Sequence, residues 1–183
     1  MAVVTLSAKG VGAGLLCVSL TAAWYIGRPL RWFSLHPLGM LLAYATVACA
    51  GIQYKKAGGR LNTVAHARLM MGATLAGLGG WYVVYEQKRM LGKPHNTSWH
   101  SWMGVAVLLS YVVTACGSWW ALHPDTGALK ASKTIRRGHK LASRALTLLA
   151  WTTLLTGWYK MDETTAVWLA FPGTVALAYT VLL

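Results

Sequence analysis

Four histidines stand near the beginnings of four successive apolar stretches of the sequence. They are His36 in "SLHPLGM", His66 in "VAHARLMM", His100 in "SWHSWMG" and His139 in "RRGHKLASR". Neutral imidazole binds zinc, copper and iron through a ring nitrogen. One histidine in an apolar helix is more often a packing or hydrogen-bonding residue than a ligand. Four of them, one at the start of each consecutive stretch, favour a metal centre.

The elements that carry these histidines are predicted to be membrane-spanning helices. The chain of 183 residues is 56% hydrophobic, contains ten Trp, and has four acidic residues against 17 Lys and Arg. This composition is typical of integral membrane proteins, and about 20 apolar residues cross a bilayer as a helix. We predict an all-α membrane protein of one domain, residues 1–183, with six transmembrane helices at residues 10–27, 35–54, 63–85, 99–122, 139–159 and 164–183. The second to fifth helices form its four-helix core.

Local signals along the chain agree with this arrangement. The first stretch, "GVGAGLLCVSLTAAWYIG", is longer than a signal-peptide core and is predicted to be a retained helix. Most of the tryptophans fall near predicted helix ends, which is typical of residues that anchor a helix at the membrane interface. Cys17, Cys49 and Cys116 lie inside predicted helices without a CxxC or CxxCH motif. Their positions argue against a disulfide framework and against a covalently attached cofactor.

Basic residues are distributed unevenly between the two faces of the predicted bundle. Six helices place both termini, the loop between the second and third helices and the loop between the fourth and fifth on one face, called side A; the opposite face is side B. Side A holds eleven Lys and Arg residues, which are Lys9, Lys55, Lys56, Arg60, Arg68, Lys130, Lys133, Arg136, Arg137, Lys140 and Arg144. Side B holds six, which are Arg28, Arg31, Lys88, Arg89, Lys93 and Lys160. The positive-inside rule therefore predicts that side A, with both termini, is cytoplasmic. Loops this short between hydrophobic spans exclude a nucleic-acid surface despite the net charge of +13.

The same topology sorts the four histidines by depth. The second and fourth helices run in one direction, so His36 and His100 are predicted to lie together near side B. The third and fifth helices run the opposite way, so His66 and His139 are predicted to lie together near side A. The sequence thus predicts two imidazole pairs at opposite ends of one helical core.

Two facing imidazoles in lipid are best explained as the axial ligands of a haem. A structural zinc site needs four protein ligands, and no Cys, Asp or Glu is placed to complete either pair. Haem iron needs only two axial ligands, so four histidines hold two b-type haems. Respiratory cytochrome b instead spaces two ligands about 14 residues apart on one helix. The residues at that spacing here are Ala50, Gly80, Thr114 and Thr153, which excludes that arrangement.

Small and basic residues near the histidines fit this interpretation. Gly39 and Gly104 follow His36 and His100 by about one turn and leave room either for a flat ligand or for close helix packing. The cations predicted to meet haem propionates are Arg68 and Arg144 on side A, and Arg31 and Lys93 on side B.

The motifs resemble those of the cytochrome b561 family. "SLHPLGM", "GKPHNTSWHSWMG" and the single histidines that open the third and fifth predicted helices carry the resemblance over nearly the whole chain, and "GKPH" is similar to the short cytochrome b561 domain-containing branch. The resemblance implies electron transfer from cytoplasmic ascorbate, through two haems, to monodehydroascorbate or ferric iron on the opposite side. His66 and His139 would hold the cytoplasmic haem, and His36 and His100 the other. It also implies a homodimer in an endomembrane or organellar membrane.

Substrate-binding residues follow only from that resemblance. The basic residues of the two side A loops match the positions that ascorbate-using members occupy with cations, and here they are Lys55, Lys56, Arg60, Arg136 and Arg137. "AYATVACAGIQYKK" lacks the fuller ascorbate-associated sequence of those members, so the donor stays open. The acceptor stays open too, because the plant histidine pair has no clear match and His95 is only a nearby candidate.

Two other functions remain as alternatives. A small haem-binding or structural subunit of an organellar respiratory or photosynthetic complex would suit the pI of about 10.1 and the short terminal tails. A transporter with histidine proton relays is disfavoured, because no intramembrane carboxylate would partner the imidazoles.

Overall fold

The structure is a computed structural model and describes residues 30–161. The first and sixth predicted helices, residues 10–27 and 164–183, lie outside this range. The described part contains four helices, which are α1 (Trp32–Ala57), α2 (Arg60–Met90), α3 (Trp99–Leu122) and α4 (Lys133–Met161). These four helices correspond to the predicted core, and no strand occurs within the described residues.

Helix boundaries differ from the predicted ones mainly where polar residues continue a helix. The limits of α3 are those predicted, whereas α1, α2 and α4 extend at both ends. The extensions include Lys88 and Arg89 at the end of α2 and Lys133 at the start of α4. An apolar pattern marks only the part of a helix that lies in hydrocarbon, and the helix itself continues into the head-group layer. Of the described helices, α1 and α3 are long and apolar enough to cross a membrane by composition alone.

Two glycines make the tight connection between α1 and α2. Gly58 and Gly59 have φ angles of 74° and 82°, a region that side chains with a Cβ rarely adopt. Asn62 donates a hydrogen bond from Nδ2 to the Gly58 carbonyl at 2.7 Å and closes the turn. The two helices therefore run antiparallel and adjacent, as the topology predicts.

Helix α1 changes its hydrogen-bonding pattern along its length. It opens with a 3₁₀ turn (Trp32–Ser34), continues as α-helix (Leu35–Met40), passes through a π-helical segment (Leu41–Val47) and ends as α-helix (Ala48–Ala57). Single-turn π geometry is the usual form, so seven residues of it inside a predicted transmembrane helix are uncommon. Tyr44 lies at the middle of this segment.

The centre of the bundle is built from small residues and one aromatic pair. One buried cluster draws on all four helices, with Ala43, Tyr44, Ala48, Ala73, Val107, Tyr111 and Ala150. The rings of Tyr44 and Tyr111 lie 4.7 Å apart between centroids. Small residues let membrane helices approach closely.

Gly39 and Gly104 lie at contacts between helices. A Cβ on Gly39 would lie 3.1 Å from the Gly80 Cα, so backbone meets backbone where α1 crosses α2. A Cβ on Gly104 would lie 3.9 Å from Thr153 Cγ2, which is an ordinary contact. The structure thus supports helix packing rather than space for a flat ligand at Gly39.

Candidate functional site

The first turn of α3 aims His100 into the bundle. Ser98 precedes the helix, and its hydroxyl accepts a hydrogen bond from the Ser101 backbone N–H at 3.3 Å. The Ser101 hydroxyl accepts one from the Ser98 N–H at 3.0 Å. This reciprocal cap fixes where the helix begins. The flanking Trp99 and Trp102 are 85% and 59% exposed, while the ring of His100 turns toward the other helices.

His36 and His100 form a pair at the side B end. Their ring centroids lie 6.4 Å apart, with an angle of 79° between the ring planes. His36 Nδ1 is 2.9 Å from the Gly80 carbonyl oxygen, and His100 Nδ1 is 3.1 Å from that of Thr153. A carbonyl oxygen only accepts, so each Nδ1–H donates. Each neutral ring therefore keeps the lone pair of Nε2 for a metal ion.

Gly157 of α4 provides the space that the His100 ring occupies. A Cβ built on Gly157 would lie 2.7 Å from His100 Cε1 and 3.3 Å from its Nδ1. Contacts that short force one of the two groups to move. The position of the imidazole therefore depends on the absence of a side chain at residue 157.

His66 and His139 form a second pair at the side A end. Their ring centroids are also 6.4 Å apart, with the ring planes at 77°. His66 Nδ1 donates to the Gly51 carbonyl oxygen at 2.9 Å. His139 Nδ1 lies 2.8 Å from the hydroxyl oxygen of Ser118. The structure thus brings together the two pairs that the topology predicts.

Both ring separations fit one metal ion between two imidazoles. A bond of about 2.0 Å from each Nε2 to the metal places the two ring centroids roughly 6 Å apart when the ligands are opposite one another. Residues 30–161 contain no group of three or more His, Cys, Asp or Glu side chains arranged to hold a metal ion. Haem iron would need only two such imidazoles from the protein, because its porphyrin would supply the remaining ligands.

The two pairs are separated by most of a membrane thickness. Gly80, the partner of His36, follows His66 by fourteen positions in α2, which corresponds to about 21 Å along a helix. The separation agrees with two centres near opposite faces of a bilayer with a core of about 30 Å.

Cations gather around the side A pair. Lys55 interacts electrostatically with His66, His139 and Arg136. Lys56 interacts electrostatically with Arg144. The last turn of α1 and the first half of α4, which are distant in sequence, therefore meet here to form one basic surface.

Arg68 and Arg60 have different surroundings from those predicted. Arg68 follows His66 by two residues, so it projects about 200° around α2 from that ligand, and it is exposed. Arg60 forms an ion pair with Asp125, with Nε and Oδ1 2.6 Å apart, so its charge is largely compensated. Sequence analysis missed Asp125; its place in "HPDTG", on the same side as Arg60, was the available signal.

Side B presents a different set of cations from the predicted one. His100 interacts electrostatically with Lys160 and Lys88, neither of which was among the cations predicted to meet a haem propionate. Arg31 makes backbone bonds with Ser34 that begin α1, and Lys93 is exposed in the loop before α3. Lys160 could have been found by noting that the end of α4 meets the start of α3.

His95 stacks on an aromatic residue at the side B surface. Its ring lies 4.5 Å from that of Tyr85, nearly parallel at 18°, and Tyr85 in turn lies 5.2 Å from Trp81. Because Gly80 holds His36, this row of rings begins beside the side B pair.

A comparison with known families places the chain in one of them. A family model described as eukaryotic cytochrome b561 matches residues 35–163, a range that includes all four paired histidines. A search of curated proteins found no significant match. Cytochromes of this family are membrane-integral and use b-type haem to transfer electrons. The chain therefore belongs to the eukaryotic cytochrome b561 family and is a haem-dependent transmembrane electron-transfer protein.

Proposed function

We propose that this protein carries single electrons across a membrane through two bis-histidine b-type haems, from cytoplasmic ascorbate to monodehydroascorbate or ferric iron on the other side. His66 and His139 would hold the side A haem, and His36 and His100 the side B haem. The observation that carries the proposal is the repeated geometry of two cross-helix imidazole pairs with equal ring separations of 6.4 Å.

The protein's own groups orient the ligands and select the donor. When bound, haem supplies a one-electron iron couple at each end of the core. Backbone carbonyls at Gly51, Gly80 and Thr153 hold three of the imidazoles in the tautomer that leaves Nε2 open. Ascorbate is an anion at neutral pH, so the basic surface around Lys55 and Lys56 would attract it to the side A pair. His95 would meet the acceptor on side B.

The membrane arrangement belongs to the same proposal. Helices at residues 10–27 and 164–183 would complete six spans, with both termini on the cytoplasmic side. The excess of Lys and Arg on side A supports that orientation. Such a protein would work in an endomembrane or organellar bilayer, as a homodimer.

Purified protein should contain two b-type haems per chain. No thioether bond would hold them, so acid acetone should extract both, and ascorbate should reduce the protein rapidly in the absence of other subunits. The measurement is a haem-to-protein ratio with an optical spectrum before and after ascorbate. One haem per chain, or none, in protein purified without haem loss would contradict the proposed pairing.

Neutralising the donor surface should slow ascorbate oxidation selectively. Replacing Lys55 and Lys56 together by glutamine removes two cations near the side A pair, so reduction by ascorbate should slow roughly tenfold and lose part of its dependence on ionic strength. Stopped-flow reduction by ascorbate, compared with reduction by an uncharged donor, measures the change.

A matched double variant separates local attraction from overall charge. Lys130→Gln with Lys133→Gln removes the same charge from side A at residues that were not predicted to bind the donor, and it should leave the ascorbate rate near that of the wild type. His95→Ala should alter only reoxidation by the acceptor. If both double variants slowed reduction by ascorbate equally, Lys55 and Lys56 would have no specific role in binding the donor and would serve only to orient the protein in the membrane.

A further inference from the structure

One of the four paired histidines has a different kind of hydrogen-bond partner. Nδ1 of His36, His66 and His100 each meets a backbone carbonyl, at 2.9, 2.9 and 3.1 Å. The His100 nitrogen also lies 3.3 Å from Thr156 Oγ1, in addition to its carbonyl partner. Nδ1 of His139 instead lies 2.8 Å from Ser118 Oγ and 3.5 Å from Ser143 Oγ. Side chains rather than the main chain therefore surround this nitrogen.

The two serines are not equivalent. Ser118 belongs to α3, so its short contact joins two helices at the side A pair. Ser143 stands one turn after His139 on the same helix, and its distance of 3.5 Å is at the limit for a hydrogen bond. Ser118 is therefore the group placed to orient the His139 ring.

A hydroxyl influences an imidazole differently from a carbonyl. A hydroxyl both donates and accepts, and its hydrogen rotates to suit its neighbours, whereas a carbonyl oxygen always accepts. An acceptor at Nδ1–H draws that proton and increases the electron density that Nε2 offers a metal ion. Such a partner tunes the reduction potential of the iron that the ring binds.

We propose that Ser118 is a positioning residue for His139, accepting its Nδ1–H so that Nε2 faces the side A haem, and that this hydroxyl sets the reduction potential of that haem alone. The inference rests on the proposed function, because it takes His139 as an axial ligand. The potential of the side B haem does not depend on Ser118, since His36 and His100 bond to carbonyls at the other end of the core.

Redox titration of Ser118→Ala, followed optically, tests this inference. Loss of the acceptor weakens the donation from His139 to ferric iron and favours the ferrous form. Only the part of the hydrogen bond that differs between the two oxidation states shifts the ratio. Since a whole bond is worth about 1 kcal/mol, the ferrous-to-ferric ratio of the side A component should rise by up to about fivefold at a fixed potential. The side B component should not move. The paramagnetic resonance spectrum of the ferric side A haem should also change, because it depends on the mutual angle of the two imidazole planes.

Three further variants make the result specific. Ser143→Ala removes the longer contact and should change the side A potential much less than Ser118→Ala. Ser118→Thr keeps a hydroxyl and should retain a potential close to that of the wild type. Ser118→Cys is similar in size but a poor acceptor, and it should shift the potential in the same direction as Ser118→Ala.

The outcomes separate a failure of the role of Ser118 from a failure of the proposed function. Two haems with an unchanged side A potential in Ser118→Ala and Ser118→Cys would overturn the role of Ser118 and leave the proposed function standing. Loss of the side A haem from Ser118→Ala, with retention in Ser118→Thr, would support positioning. If Ser118→Ala does not fold, a wild-type potential in Ser118→Cys would still overturn it. Absence of two haems in the wild type would instead contradict the proposed function.

Discussion

Replacing His36 or His100 by alanine is expected to remove the side B haem completely and to leave the side A haem in place. The paired imidazoles are the only two protein ligands proposed for each iron, so either substitution would leave that haem with one protein ligand instead of two. His66→Ala and His139→Ala should do the reverse. The measurement is the haem-to-protein ratio, which should fall from two to one, together with the difference spectrum that assigns the missing component.

His123 provides the control for these four variants. It also lies at a helix end on side A, but its Nδ1 accepts hydrogen bonds from the backbone N–H groups of Asp125 and Thr126. His123→Ala should keep both haems. If His36→Ala and His66→Ala abolished the same spectral component, the assignment of one pair to each end would be wrong.

Gly157→Leu is expected to remove the side B haem although all four histidines remain. A Cβ at this position would already lie 2.7 Å from His100 Cε1, and the larger side chain would drive the ring away from His36. Gly157→Ala should weaken haem binding by about the 10- to 100-fold that the loss of a supporting group around a metal ligand costs. Haem retention under competition with a soluble haem acceptor measures both variants.

Gly79→Ala is the matched control for this prediction. Among the described residues, no heavy atom of a neighbouring side chain or helix lies within 4 Å of a Cβ built on Gly79. The variant should bind both haems normally, and its circular dichroism should match that of the wild type. Normal side B haem content in folded Gly157→Leu protein would show that the ring does not depend on this space.

The pairing of the histidines was predictable because topology alone determines it. Consecutive helices joined by short loops alternate in direction, so residues at the same end of every second helix must lie at the same depth. His36 and His100 meet this condition, and so do His66 and His139. The apolar stretches also predicted the positions of the four helices. They did not predict the ends of α2 and α4, because these helices continue through charged residues.

The partners of the imidazole rings were not predictable in the same way. A contact such as His36 to the Gly80 carbonyl depends on the axial register and rotation of two helices to within one residue, and a hydropathy pattern does not fix either. Gly157 and Gly79 look alike in the sequence, yet only one of them faces a histidine ring. Arg60 was expected at the donor surface because its position matches a basic loop of the ascorbate-using members, and its ion pair with Asp125 is visible only in the folded protein.

The π-helical segment of α1 determines how this helix would respond to the deletion of one residue. Gly51 follows Gly39 by twelve positions, and both pack against α2. At 100° per residue they would point about 120° apart on a regular α-helix. The wider turns of Leu41–Val47 advance roughly 80° per residue and bring both glycines back to one direction. The segment therefore contains one residue more than a regular α-helix would need to bring the two glycines to the same direction. Deleting a single residue there would convert it to α-helix with the glycines about 20° apart. A one-residue deletion, which normally disrupts the packing of a buried helix, would therefore keep both glycines against α2.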